Sequence, residues 1–166
     1  DAELPRTAGP RAAALVLTAV SETMTALRVA ALGEPPRVEQ VPVPRPGADE
    51  VLVRMTASVV SHHDLGVVAG TLAHSPPPFT PGSELAGRVV AAGEGVTEVA
   101  VGDRVLSSMG LGAWSSHVVV PAASLTPVPD GLDDAVAAAL VQSYCTAWFT
   151  LTRRLSVSPG ESVLVL

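Results

Sequence analysis

The sequence predicts a mostly β fold with a smaller α part: a β-barrel, followed by one apolar helix and one closing strand. Three observations predict it. Short apolar-alternating runs recur from Met24 to Val128, separated by turns rich in Gly and Pro. In the middle, Pro78 to Val105 reads as a strand, Leu85 to Ala92, held between tight turns that carry Gly82, Gly93, Gly95 and Gly102. After Asp133 the alternation gives way to AVAAALVQSYCTAWFTL, apolar on nearly every face and long enough for a helix.

The elements follow in order. TALRVAAL, RVEQVPVPRP and EVLVRMTASVV are three strands. Prolines 42, 44 and 46 place the second at a sheet edge, because Pro cannot donate to a ladder on both sides. Glu50 to Ser58 reads as a central strand. Asp64 to Ala69 fits one or two helical turns ending at Gly70. Residues 71–81 are a Pro-rich connector suited to a surface. Ala113 to Pro121 and Leu125 to Val128 supply two further strands. Gly110 to Ser115 begins like a GxGxxG fingerprint, yet it lies between strands and reads as a hairpin. Asp133 is the expected N-cap of the long helix. That helix is expected to be buried or doubly covered. Pro159-Gly160 then turns the chain into Ser162 to Leu166, which reads as a buried parallel strand.

The organisation predicted is a weakly structured extension over 1–23, a barrel domain over 24–132, and a helix with one strand over 133–166. The apolar run from Ala12 to Val20 is too short to span a bilayer. A secretory leader should follow a basic N-terminus, whereas this chain begins with Asp1 and without an initiating Met, so Met24 reads as the natural start. With 166 residues and 48% hydrophobic composition, one core is expected. The formal net charge is −6 and all 10 cationic residues are Arg, so no basic tract exists to collect nucleic-acid phosphates. The single cysteine, Cys145, rules out an internal disulfide framework and points to a reducing cytoplasm.

The stretch PGSELAGRVVAAGEGVTEVAVGDRV resembles the signature strand-turn-strand of the medium-chain dehydrogenase/reductase superfamily, in its GroES-like catalytic domain. The resemblance runs from about Met24 to Leu166. It implies that 133–166 are the linking helix and first strand of a truncated Rossmann domain. It also implies that the cofactor of the full-length protein is NADP(H), whose Gly-rich pyrophosphate site this chain does not encode. Dimerisation in such relatives runs through the Rossmann half, so a homodimer is expected only with that half.

Zinc-dependent members of the superfamily carry a Cys and a His at positions that match Ser61, in VSHHDL, and Ser83, in PGSEL. Neither hydroxyl is a usual zinc ligand, so the resemblance implies the zinc-free branch that is similar to quinone oxidoreductases. By the same resemblance, Ser61 would donate a hydroxyl near the nicotinamide, His62 would face the cofactor phosphates, and Thr146 would lie beside the nicotinamide. His63 would return a proton to the reduced acceptor. Asp64 reads as a helix-start cap and Glu84 as structural. Gly66 stands where some quinone reductases have a Tyr. The function implied is hydride transfer from NAD(P)H to a quinone, enone or related small-molecule acceptor, without membrane or nucleic-acid partners. Alternatives are a zinc-type alcohol dehydrogenase, an enoyl reductase domain of a polyketide synthase, and a non-enzymatic GroES-like binding module.

Overall fold

The computed structural model describes residues 22–72, 75–108 and 110–165. Residues 1–21 of the extension, His74 and the final Leu166 lie outside these residues, whereas Met24, the expected start of the domain, lies in the first strand. Seven strands and two helices follow one another: β1 (Thr23–Arg28), β2 (Arg37–Pro42), β3 (Glu50–Ser58), α1 (His62–Ala69), β4 (Glu84–Ala92), β5 (Arg104–Ser108), β6 (His117–Pro121), β7 (Thr126–Pro127) and α2 (Asp134–Phe149). All strand pairs are antiparallel. β1 pairs with β2, and the other five form one sheet in the order β6-β3-β4-β5-β7. As the prolines require, β2 has β1 as its one partner, and β3 is central.

Residues 114–116 join the two sheets into a barrel wall. Leu27 N–H donates to the Trp114 carbonyl at 2.9 Å, Ser116 N–H to Thr25 at 2.8 Å, and Met55 N–H to Ser116 at 2.9 Å. The segment from Gly110 to Ser115 is therefore not a hairpin. It connects β5 to β6, which sit on opposite sides of the β3-β4 pair, so the chain must cross over instead of doubling back. The barrel interior is filled by Val51, Val53, Leu85, Val89, Val105, Val118 and Val120. Their alternation along the strands is what the sequence pattern required, and each contributes about 1.5–3 kcal/mol by leaving water. Two register shifts in the β3-β4 pair, at Leu52/Val53 and Met55/Ala57, bend the central strand.

Gly93 shows why the turn after β4 admits no side chain. Its N–H donates to the Glu50 carbonyl at 2.8 Å. A Cβ there would run into the carbonyl oxygen of Gly47, which is backbone and cannot yield.

Helix α2 departs from the expected burial. Asp133 caps it as predicted, accepting from Ala135 N–H at 2.8 Å. Ala137 and Ala138 pack on Ala86, Leu106 and Val128. The sheet covers one side of the helix, whereas its apolar residues occupy nearly all sides, so Tyr144, Trp148 and Phe149 stay exposed. A wider turn over Thr150–Arg154 ends it, with Leu155 N–H donating to Thr150 at 2.9 Å, five residues back. By length and composition alone, residues 134–154 would suffice to cross a membrane. Their start is tied to the sheet. The Arg104 guanidinium donates through Nε to Asp134 at 3.1 Å, through Nη2 to the same oxygen, and to the Leu132 carbonyl at 2.6 Å. The expected closing strand does not form: residues 161–165 have no strand partner among the described residues, and Leu164 and Val165 are 81% and 87% exposed. A parallel strand has no hydrogen bonds of its own and exists only beside a neighbour.

Two measurements test this packing. Gly93→Ala should cost roughly 1–3 kcal/mol of unfolding free energy, read as a lower urea midpoint at unchanged slope. The bond from Arg104, with a smaller one from Thr56, holds the Asp134 carboxyl below the usual carboxylate range. Stability from such a group is complete above the unfolded value, about pH 4, and is lost as pH falls through the lower folded value. Arg104→Gln should flatten that acid limb in urea midpoints measured between about pH 6 and about pH 2.

Candidate functional site

The end of β3 delivers the chain into α1 through Ser61, His62 and His63. Ser61 is the N-cap, with extended backbone, and closes a reciprocal capping box with Asp64. Its Oγ accepts from Asp64 N–H at 3.2 Å and donates to Asp64 Oδ2 at 2.8 Å, while Ser61 N–H donates to the same carboxylate at 2.9 Å. Asp64 is buried. A hydroxyl has one proton and two lone pairs. In this geometry Ser61 spends its proton and one lone pair inside the cap, so what it offers outward is an acceptor, not the donor expected from sequence. His62 and His63 occupy the first two helical positions, exposed, with their rings unbonded to other described residues.

Glu84, first residue of β4, is the junction of this region. Its side chain is buried, 1% exposed, and its Oε1 accepts from the backbone N–H of Gln142 in the middle of α2, at 3.0 Å. Its main-chain oxygen accepts from Ser58 Oγ at 2.8 Å. β3, β4 and α2 thus meet at one residue, which bears out the structural reading of Glu84. Thr146 follows Gln142 by four residues and so lies on the same side of α2, with its side chain exposed. Ser83, also buried, points its hydroxyl at Gln142 Oε1 at 3.5 Å. Ser61 follows three residues after Ser58, and Thr146 one helical turn after Gln142, so both follow closely on residues bonded to Glu84, without a direct bond between them among the described residues.

An open cleft of about 440 Å³ lies beside this junction, lined by Thr25, Leu27, Met55, Ser58, Val60 and Trp114 among others. It reaches Val60 and stops short of Ser61. Trp114 fixes its wall by donating from the indole Nε1 to the Val59 carbonyl at 2.8 Å. Gly82, with φ of 99°, makes room for that ring: a Cβ there would strike both the indole and the Trp114 backbone. Sequence reasoning missed Trp114 and Met55 as cleft residues. The usable signals were an aromatic in the Gly110–Ser115 segment and the inward phase of β3.

Among the described residues no three His, Cys, Asp or Glu side chains are grouped to hold a metal ion. At the two matching positions, 61 and 83, stand hydroxyls already bonded within the fold, and hydroxyl oxygen is not a usual zinc donor.

A small barrel feeding a helix, with a polar corner where the two meet, is the catalytic-domain architecture of dehydrogenases and reductases. The chain belongs to the medium-chain dehydrogenase/reductase superfamily: residues 47–130, just over half of it, match the alcohol dehydrogenase GroES-like domain. It is 41% identical over 123 residues to the rat synaptic vesicle membrane protein VAT-1 homolog, covering 74% of this chain and 30% of that protein. Among solved structures it is similar to a quinone oxidoreductase from Pseudomonas syringae, at 31% identity and TM-score 0.79, over 83% of this chain and 43% of that one. A mycobacterial protein complexed with NADPH matches at 34% identity and TM-score 0.77, over 83% and 44%. A thermostable alcohol dehydrogenase from Pyrobaculum aerophilum with cobalt and zinc bound matches at 32% and 0.76, over 84% and 50%. The chain spans about a third of the length of the curated relatives it matches, and half or less of these solved chains.

The cap makes a specific forecast. Ser61→Ala should destabilise the chain by about 1 kcal/mol, whereas Ser61→Asn, which keeps an accepting oxygen at the N-cap, should recover most of it in the same denaturation assay.

Proposed function

We propose that this chain is the catalytic-domain portion of a zinc-independent NAD(P)H-dependent oxidoreductase whose acceptor is a quinone, an enone or a related carbonyl compound. The observation that carries the reading is the chemistry at positions 61 and 83. Both hold serines whose hydroxyls are engaged in the fold, one in the α1 cap and one toward Gln142. Overall likeness does not separate the zinc and zinc-free branches, since a zinc-bound alcohol dehydrogenase and a quinone oxidoreductase resemble the chain about equally. The donor set supports the zinc-free one. Without a Lewis acid, polarising a simple ketone or alcohol is difficult. A conjugated acceptor avoids the need, because its developing charge spreads and fixed hydrogen-bond donors can stabilise it.

When bound, NAD(P)H supplies the hydride. The chain's own residues orient, exclude water and move a proton. Thr146, exposed on α2 and held in place through Gln142 and Glu84, is the residue assigned to the nicotinamide side. His62, at the positive end of α1, is assigned to the phosphates. Ser61 contributes its remaining lone pair. His63, adjacent and exposed, returns a proton to the reduced acceptor, a task suited to histidine near neutral pH. The mainly apolar cleft from Leu27 to Trp114 offers neutral, flat molecules a dry wall. Gly66 keeps the corner free of the bulk a Tyr would bring; even a Cβ there would press on Leu72. A reducing cytoplasm, a small-molecule partner and the absence of a membrane or nucleic-acid partner complete the reading.

The test uses the protein that carries this chain together with a nucleotide-binding half. After dialysis against a chelator it should still oxidise NADPH with an enone or a benzoquinone, and metal analysis should give substoichiometric zinc. His63→Asn should lower kcat by roughly 10²-fold or more with KM for NADPH unchanged. Alcohol oxidation that is restored by added zinc would overturn the proposal.

A further inference from the structure

A row of cations crosses the outer face of the five-stranded sheet. In the antiparallel register His117 stands opposite Arg54, Arg54 opposite Arg88, and Arg88 opposite Arg104. Residues in register point to the same face, so four basic side chains from four successive strands share one rung. Three of the chain's 10 arginines lie on it, in a protein of net charge −6. At an interstrand spacing of about 4.8 Å, the row is about 14 Å long.

The fold accounts for one end of this rung and not the rest. Arg104 is consumed by Asp134 and the Leu132 carbonyl at the start of α2. Arg88 donates to the Gly102 carbonyl at 3.0 Å and feels the Asp134 carboxylate only at a distance, without an ion pair among the described residues. Arg54 is exposed and has no carboxylate partner among the described residues. Burial first and the charge of Arg54 second push the His117 imidazole below its ordinary value, so the cations of the row are its arginines. Like charges directly opposite in a sheet are destabilising. An exposed Arg54 set between two other basic side chains costs folding free energy without an internal partner, which is a mark of a surface kept for something outside the chain.

We propose that the Arg54–Arg88 rung is a docking surface for an acidic segment of a partner protein, with helical carboxylates as the recognised chemistry. Glu or Asp side chains at i and i+4 of a helix are about 5–6 Å apart, close to the spacing of the rung, so a helix lying across the strands meets successive guanidiniums. Arg pairs with carboxylates through two parallel bonds, which gives the surface geometric selectivity. An anionic membrane fits less well, since such binding draws on clusters of roughly 4–8 cations and this chain is net acidic. A free small anion finds no enclosure on an open sheet face.

The experiment is fluorescence anisotropy of the full chain with a labelled helical peptide bearing Glu at i, i+4 positions, at low and at high salt. Binding should be present at low salt and weaken as salt rises. Arg54→Glu, which breaks no internal contact, should weaken it by about tenfold or more, and Arg88→Gln by less. Arg37→Glu, on the separate two-stranded sheet, should leave it unchanged. Arg54→Thr should raise the thermal midpoint of the free chain by relieving repulsion. Absence of binding at low salt, equal binding by Arg54→Glu, or a lowered midpoint for Arg54→Thr would each overturn the proposal. So would binding to phosphatidylserine vesicles, sensitive to Arg54→Glu, in place of binding to the peptide.

Discussion

The buried carboxylate of Glu84 constrains everything around the site. A carboxylate removed from water is costly unless it is hydrogen-bonded, and this one is answered by a backbone N–H from the middle of α2. The same residue's main-chain oxygen holds Ser58 at the end of β3. The helix cannot slide without leaving that carboxyl unbonded, nor the central strand without losing the Ser58 bond. The position of Thr146 relative to Ser61 is therefore set by a group that touches neither of them.

Around this junction the protein divides its labour. Aliphatic packing inside the barrel supplies stability, and the β3-α1 turn presents the hydroxyl and imidazoles of Ser61, His62 and His63. The Arg104–Asp134 bond anchors the start of α2, while Glu84 fixes its middle. Beyond that point the helix loses the sheet, and Tyr144, Trp148 and Phe149 face outward. A cobalt- and zinc-bound alcohol dehydrogenase and a quinone oxidoreductase share this scaffold about equally with the chain, so overall fold does not tell such proteins apart.

Most of the strand order was legible because alternation with Gly and Pro punctuation is a local signal. Val51, Val53, Val118 and Val120 are inward because every second residue had to be, and Gly93 was marked as a place for close backbone approach. Asp133 as N-cap was readable for the same reason: its effect reaches only two residues. What was not legible depends on partners distant in the chain. The Gly110–Ser115 segment looks like a hairpin until one knows that β3 and β4 separate β5 from β6. The burial of α2 and the pairing of residues 161–165 were read from apolar composition, which states a preference for cover without providing it. At the site, family likeness placed Ser61, His62, His63 and Thr146. The link between Gln142 and Glu84 could not be anticipated, since a main-chain donor carries no residue signature.

The reciprocal bonds between Ser61 and Asp64 bear on which side chains position 61 can accept. A thiol there would be a far better zinc donor, yet a poor oxygen substitute at the head of α1, where the present hydroxyl both gives and receives a hydrogen bond. A first step toward a metal centre at this corner would thus loosen a helix before any ion was gained. The hydroxyl is entangled with folding, so exchanging it for a metal-binding group requires a simultaneous change in the cap.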